Sequence, residues 1–303
     1  MKKITIITPT YNRAKTLPKV FESLINQSFK DFLWIILDDG STDNTSTVVE
    51  NFQLLNPFFE IIYKKDKNRH KFLTVLEGVK MVKTPYFMVV DSDDIYPEDA
   101  LETLISEVEK IENQDNYVAV MGLSADENGK IIGNQYPNNG FDGSIFEMRY
   151  KHKVRGDKFG IFITKTYQRE ISGKDFSQYE GKGYIPQSVI FNEYDAKGIK
   201  TRFMNKVVRF YLKDDDDVAS VSNTRWSRKN LFGLAEGHLS FLNSYGNQLF
   251  FYPKALLRNL IGYQTYAFKS GRKISTIFNE IKNPVIKILG FFALPFSFIY
   301  QKK

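Results

Sequence analysis

Three carboxylates lie within four residues, at Asp91, Asp93 and Asp94, with Ser92 between them. They follow the apolar run 86–90, which is typical of a buried strand. Carboxylate oxygens are the ligands that hard divalent ions such as Mg²⁺ and Mn²⁺ prefer, and neighbouring carboxylates repel one another unless a cation holds them. The cluster therefore predicts a metal site at a strand end. The alternative is a helix N-cap, because a helical pattern follows, but capping explains only one of the aspartates.

The elements around this cluster alternate along the chain. Strands are predicted at residues 2–8, 33–37, 60–63 and 86–90, with helices at 16–27, 44–54 and 72–83. Repeated βα units with short connections predict a mostly parallel sheet, whose ligands bind beyond the carboxyl ends of the strands. Polar turns at residues 8–12, 38–41 and 91–94 all fall at that edge. Each turn alone could be a simple cap, but three of them indicate one shared site.

The pattern changes after about residue 115. Strands are predicted at 117–123, 158–164 and 201–212, with a helix at 186–197. From residue 225 onward only helices are predicted. The acid run 214–217 follows the last of these strands, and a solvated loop is favoured there over a further metal ligand. The fold class is therefore α/β with a C-terminal helical extension.

Composition limits the function classes. The 303 residues are 42% hydrophobic and 25% charged, which is enough for one large domain and an appendage. The chain has no cysteine, so disulfides and thiolate zinc sites are excluded and a reducing compartment fits. A net charge of +7 admits nucleic acid, an anionic membrane or phosphorylated substrates. No nucleic-acid partner is expected, because no recognised module or aromatic-basic interleaving is present.

The C-terminal end indicates membrane contact. Residues 284–300 are apolar except for Lys287 and Ser297, and two lysines close the chain. With a proline inside and only 17 residues, this stretch is short for a membrane span. It predicts an amphipathic membrane-interface segment at 284–303, preceded by a helical extension at 213–283. The expected location is cytoplasmic, peripheral at the inner face of the membrane.

Three motifs carry a resemblance to a known family. They are Pro9-Thr10-Tyr11-Asn12, Asp38-Asp39-Gly40-Ser41-Thr42-Asp43 and Asp91-Ser92-Asp93-Asp94. In this order and at these separations, they resemble the family 2 inverting glycosyltransferases of the GT-A fold. The resemblance covers residues 1–212 and implies a Rossmann-like mixed sheet flanked by helices. It also implies a nucleotide-sugar-binding half at 1–115 and an acceptor-binding half at 116–212.

The same resemblance assigns the donor site. It implies nucleotide-sugar binding by Pro9, Thr10, Tyr11, Asn12, Asp38, Asp39, Asp91 and Ser92. Thr10 and Tyr11 would line the base, Asp39 the uracil or ribose, and Asp91 the ribose or sugar. Asp93 would ligate the Mn²⁺ or Mg²⁺ ion that bridges the two phosphates.

A basic segment precedes the acid cluster, at the place where family members usually carry a glycine-rich basic loop. Arg69 and Lys71 could each meet the diphosphate, although the glycines are missing here. The alternative is a solvated run of charges that continues from residues 64–67.

The resemblance does not supply an acid at the position of the general base. Inversion needs an acid that takes the proton of the acceptor hydroxyl, and the position that matches it is Gln187, which cannot act as a base. Glu180 or Asp157 is then the predicted catalytic residue. The alternatives are an exposed loop acid for Glu180 and an ion pair with Lys158 or Arg155 for Asp157.

The leading hypothesis is a metal-dependent inverting glycosyltransferase acting on a UDP- or GDP-type donor, in bacterial-type surface polysaccharide or glycan assembly. Its acceptor would be a glycan or a lipid-linked hydroxyl. A nucleotidyltransferase is a minor alternative, because such proteins usually carry a glycine-rich phosphate loop after the first strand. A second alternative is a catalytically impaired partner subunit that binds nucleotide-sugar or glycan, and Gln187 alone favours it.

Overall fold

The computed structural model of the chain describes residues 2–56, 58–212 and 227–301. The acid run 214–217 lies outside these residues. The chain divides into two compact units, Met1–Lys174 with Gly198–Asp214 and Asp175–Lys197 with Asp215–Lys303. They are called the sheet unit and the helical unit below. The segment between residues 174 and 198 therefore leaves the sheet unit and returns to it.

The sheet unit contains every strand among the described residues. The strands are β1 (Ile4–Thr10), β2 (Phe32–Asp38), β3 (Glu60–Lys65), β4 (Tyr86–Val89), β5 (Tyr117–Asp126), β6 (Phe141–Gly143), β7 (Lys158–Ile163) and β8 (Lys200–Tyr211). The helices of this unit are α1 (Leu17–Ile25), α2 (Thr45–Leu55), α3 (His70–Met81), α4 (Ala100–Glu109), α5 (Ile145–Tyr150) and α6 (Thr164–Ile171).

The strands form one mixed sheet in the order β3-β2-β1-β4-β7-β5-β8-β6. β3, β2, β1 and β4 are parallel neighbours, β7 runs antiparallel to β4 and β5, and β5 pairs in parallel with β8. The parallel half has the βα connections that the sequence predicts. The α/β prediction with a mixed sheet is confirmed.

The core explains why these segments fold as they do. β1 is buried along its whole length, as expected for a central parallel strand. α1 buries its apolar stripe on this sheet, and its Phe21 stacks on Phe52 of α2 with ring centroids 4.2 Å apart. On α3, a Cβ at Gly78 would lie 2.7 Å from the Ile7 side chain. Helices therefore cover the strands closely enough to fix the strand ends.

Three short elements do not follow from the sequence pattern. β6 has three residues, α5 has six, and α6 begins at Thr164, where the sequence predicts the end of a strand. Such elements carry too few apolar repeats to show a period, and tertiary contacts decide them.

The helical unit is built from α7 (Ser188–Ala196), α8 (Leu231–Tyr245), α9 (Pro253–Lys269), α10 (Ile274–Glu280) and α11 (Pro284–Gln301). α11 packs on α9 through small residues. Gln264 donates to the Gly290 carbonyl oxygen at 2.8 Å and accepts a hydrogen bond from Ser297 at 2.7 Å. None of the helices in the described part of the chain combines the length and the apolar character needed to cross a bilayer.

Candidate active site

The first two polar turns are bound to each other at the carboxyl ends of β1 and β2. Asn12 adopts a left-handed backbone with φ 54°, and its amide donates to Ser41 Oγ at 2.8 Å. In return, Asn12 Oδ1 accepts the Thr42 amide at 2.7 Å. Asparagine tolerates this backbone because its short side chain bonds locally. The turn after β1 therefore has a fixed position relative to the turn after β2.

Asp38 and Gly40 shape the second turn. Asp38 Oδ1 accepts the Ser41 amide at 2.7 Å, and the Tyr63 hydroxyl donates to its other oxygen. Gly40 has φ +86°, and a Cβ there would lie 3.0 Å from the Asn68 backbone nitrogen. Asp38 thus stabilises the turn after β2 with both of its carboxylate oxygens.

Asp39 faces the segment between β3 and α3. Its Oδ1 accepts the Arg69 amide at 2.7 Å and the Thr74 hydroxyl at 2.8 Å. Burial raises the pKa of Asp39, and these hydrogen bonds oppose the rise. A cleft opens beside this carboxyl. Its lining consists of Leu37, Asp38, Asp39, Lys64, Asp66, Lys67, Arg69, Thr74 and Glu77.

The third turn gathers the predicted metal cluster. Asp91, Asp93 and Asp94 each place a carboxylate oxygen within 4.8 Å of the others. The N-cap of α4 is Asp99, so helix capping does not account for this cluster. Asp94 is 1% exposed, and its Oδ1 has no hydrogen-bond partner among the described residues. A buried carboxylate oxygen without a donor and two neighbouring carboxylates suit a hard divalent cation.

Basic side chains surround the cluster. Lys71 Nζ lies 2.6 Å from Asp91 Oδ1, and Arg13 lies 3.9 Å from Asp93 Oδ2. Burial alone would raise the pKa of Asp91, but the charge of Lys71 outweighs it and lowers that pKa. Burial likewise acts to lower the pKa of Lys71, and the Asp91 carboxylate raises it overall. Both groups are therefore held in their charged forms.

Asp94 behaves differently from its neighbours. Burial is the main reason that its pKa is raised to about 8. Repulsion from the Asp91 and Asp93 carboxylates raises the pKa further, and the positive charge of Arg209 lowers it in part. A carboxyl in such surroundings gains a proton unless a further positive charge arrives. The cluster is therefore short of positive charge, which agrees with a cation site.

Arg209 on β8 was not predicted from the sequence. It is 4% exposed and lies 3.1 Å from Asp94 Oδ2 and 2.6 Å from Asp157 Oδ2. The signal in the sequence was an arginine between Val208 and Phe210, inside an apolar strand, where a buried charge requires a partner. Asp157 therefore forms an ion pair with Arg209, whereas the alternative to a catalytic role had named Lys158 or Arg155 as its partner.

The other predicted residues divide between the two units. In the sheet unit, Pro9 and Ser92 are buried, and Tyr11 is 47% exposed. The Thr10 hydroxyl is buried and accepts or donates no hydrogen bond within residues 2–56, 58–212 and 227–301. In the helical unit, Glu180 is exposed and Gln187 stands at the N-cap of α7. The structure thus places the residues predicted to bind the donor at one edge of the sheet.

The fold and this site define a class of protein. The mixed sheet flanked by helices matches the GT-A glycosyltransferase structures. The chain belongs to the glycosyl transferase family 2, whose family model matches residues 5–174. It is therefore a glycosyltransferase, as the motifs predicted.

Individual proteins are similar to the chain. The GalNAc(5)-diNAcBac-PP-undecaprenol beta-1,3-glucosyltransferase of Campylobacter jejuni is 25% identical over 256 residues, which are 82% of this chain and 76% of that protein. Two solved structures share the fold. Staphylococcus aureus TarS 1-349 in complex with UDP-GlcNAc has a TM-score of 0.57 at 15% identity, covering 97% of this chain and 89% of that one. Mannosyltransferase PcManGT from Pyrobaculum calidifontis, with GDP-Man and Mn2+, has a TM-score of 0.58 at 13% identity, covering 99% and 86%.

Proposed function

We propose that the chain is a metal-dependent inverting glycosyltransferase that moves a sugar from a UDP- or GDP-type donor to an acceptor hydroxyl in surface polysaccharide or glycan assembly. One observation carries the proposal. The carboxylates of Asp91, Asp93 and Asp94 lie within 4.8 Å of one another and are flanked by Lys71 and Arg13. Such a mixture of acids and bases at a sheet edge suits a divalent ion together with a diphosphate.

The donor would extend along this edge. Asp39 and the cleft beside it would receive the base and ribose, with Tyr11 offering an exposed ring for stacking. Lys71 and Arg69 would meet phosphate oxygens. Asp93 and Asp94 would hold a Mn²⁺ or Mg²⁺ ion, which stabilises the negative charge of a departing nucleoside diphosphate when bound.

The acceptor proton needs a base, and Asp157 and Glu180 both remain candidates. Asp157 is 63% exposed, and one of its carboxylate oxygens lies 2.6 Å from the Arg209 guanidinium, so an acceptor hydroxyl would have to approach beside that ion pair. Glu180 is exposed in the helical unit. Glu180→Gln and Asp157→Asn separate them, because loss of the base lowers kcat and removes the acidic limb of the pH–rate profile. Retention of that limb in both variants would contradict both assignments.

The acceptor is proposed to be lipid-linked or close to a membrane. The Campylobacter jejuni relative is named for an undecaprenol-linked glycan, which supports this class of acceptor. α11 supports it independently. The helix exposes large apolar side chains, namely Val285, Ile288, Phe291, Phe292, Phe296, Phe298 and Ile299.

The charge of the same region suits an anionic bilayer. Residues 246–301 contain seven lysines and arginines against a single acid, Glu280, which is paired with Arg272. Apolar area and basic charge together are what binds a peripheral helix to anionic lipid.

Vesicle sedimentation tests the membrane contact. The protein should sediment with phosphatidylglycerol-containing vesicles, and F291S/F292S should weaken this. Leu54→Ser, which changes an 84% exposed leucine in the sheet unit, is the matched control. Equal binding by all three proteins would contradict the assignment to α11.

Donor turnover tests the chemistry. Purified protein should hydrolyse or transfer from at least one UDP- or GDP-sugar when Mn²⁺ or Mg²⁺ is present, with inversion at the anomeric carbon detected by NMR. Tight donor binding without turnover across an acceptor panel would instead favour the impaired partner subunit. Full activity in EDTA would remove the metal from the proposal.

A further inference from the structure

Arg209 is held on every side of its guanidinium group. Nε donates to Ser124 Oγ at 3.1 Å, one terminal nitrogen to Asp94 at 3.1 Å, and the other to Asp157 at 2.6 Å. The group lies over the Phe159 ring, 5.1 Å from its centroid. A planar fork with fixed donors on both arms has one orientation and retains its charge at any accessible pH.

The backbone places this side chain beside the cluster. Phe210, the next residue on β8, exchanges two hydrogen bonds with Ile95, at 2.8 Å and 3.2 Å. Ile95 follows Asp94 directly in the sequence. The end of β8 is thus paired with the segment that carries the acids, which fixes the backbone of Arg209 beside that of Asp94.

We propose that Arg209 is a positioning residue of the acid cluster. By binding Asp94 Oδ2 it fixes that carboxylate and leaves Oδ1, the buried oxygen without a hydrogen bond in the described chain, as the one available to a cation. Through Asp157 it also connects the cluster to the loop before β7. The inference rests on the proposed metal site, but it concerns a residue that does not itself touch the ion.

Two effects of Arg209 on a cation have opposite signs. Its hydrogen bonds orient a ligand, and outer-shell partners of this kind typically account for about 10-fold to 100-fold in metal affinity. Its positive charge repels the cation, so removal of the charge alone would tighten binding. The positioning role requires the first effect to be the larger.

Substitutions at Arg209 separate the two effects. Arg209→Lys keeps the charge and loses the fork, whereas Arg209→Met loses both. Mn²⁺ affinity is measured by electron paramagnetic resonance with UDP or GDP present, so that turnover is not needed. We expect both variants to weaken Mn²⁺ binding by about 10-fold or more. Tighter binding by Arg209→Met with unchanged binding by Arg209→Lys would overturn the inference, as would unchanged binding by both.

Arg202→Met is the matched control. Arg202 lies on the same strand and donates two 2.7 Å hydrogen bonds to Asp142, which is not part of the acid cluster. Its removal deletes the same charge and a similar ion pair, and the Mn²⁺ affinity should not change. A loss equal to that of Arg209→Met would show a general effect on β8 and contradict the positioning role.

Asp157→Asn decides the matter if the Arg209 variants do not fold. Its side chain is 63% exposed and asparagine keeps an oxygen that can accept from Arg209, so the variant should fold, as its unfolding temperature will show. Loss of the ion pair between Asp157 and Arg209 should weaken Mn²⁺ binding several-fold, and an unchanged affinity would overturn the inference. Absence of Mn²⁺ binding by the wild type is a separate outcome, because it would contradict the proposed function and the inference with it.

Discussion

Replacing Gly40 with alanine tests how the second turn supports the candidate donor site. Gly40 lies in the left-handed region at φ +86°, and an added Cβ would lie 3.0 Å from the Asn68 nitrogen and 3.3 Å from the Asp66 carbonyl oxygen. Both neighbours are backbone atoms, so neither can rotate away. The segment 66–68 must move, and with it the amide of Arg69 that donates to Asp39.

The expected loss of stability has two parts. An alanine in the left-handed region costs about 1–2 kcal/mol, and overpacking against backbone costs about 1–3 kcal/mol. We therefore expect Gly40→Ala to lower the free energy of unfolding by about 2–5 kcal/mol. Nucleotide binding should weaken as well, because displacement of the segment removes a hydrogen bond to the buried Asp39 carboxyl.

Gly129→Ala isolates the first part. Gly129 has φ +79°, and its added Cβ would meet nothing within 4 Å, so only the conformational cost applies. Urea unfolding of both variants and titration with UDP or GDP give the comparison. Gly129→Ala should lose about 1–2 kcal/mol and keep its nucleotide affinity. Equal losses in the two variants, or unchanged nucleotide binding by Gly40→Ala, would refute the packing argument.

Asp39→Asn should stabilise the fold at neutral pH, because burial raises the pKa of Asp39 and an amide can still accept from Arg69 and Thr74. The stability that protonated Asp39 provides is lost as the pH rises through this raised pKa, so the advantage of the variant in urea unfolding should vanish at acidic pH. An advantage independent of pH would contradict this. Lys71→Met leaves Asp91 without its 2.6 Å partner; both side chains are about one-third exposed, at 39% and 32%, so the loss should be about 1–2 kcal/mol. The loss of stability should shrink as Asp91 is protonated at low pH. Lys71→Arg should retain most of the wild-type stability. An equal loss at all pH values would exclude the ion pair as its source.

Much of the sheet could be predicted because its elements carry strong periodic signals. The strands at the parallel half and helices α1, α2 and α3 each lie within two residues or so of their expected bounds, since their apolar residues recur at the strand or helix period. The three polar turns were expected at one edge, and parallel strand pairing places them there. Regular backbone hydrogen bonding determines both the bounds of these elements and the alignment of their strand ends.

The contacts of Arg209 could not be predicted in the same way. They join residues 94, 124, 157 and 209, which come from four separate segments. Only the register between β5 and β8 and the pairing of Ile95 with Phe210 bring them together. A sequence shows that a buried arginine needs partners, but the choice among many acids depends on tertiary structure.

The acid cluster is proposed to bind a nucleotide-sugar through a divalent ion. Isothermal titration calorimetry with UDP-GlcNAc and with GDP-mannose, in Mn²⁺ and in EDTA, tests this binding. The proteins are the wild type, Asp93→Ala and the control Asp115→Ala, which changes an exposed acid paired with Lys165. We expect Mn²⁺-dependent binding of one donor by the wild type and Asp115→Ala, and its loss in Asp93→Ala. Equal binding in EDTA, or by Asp93→Ala in Mn²⁺, would contradict a metal-dependent donor site at the acid cluster.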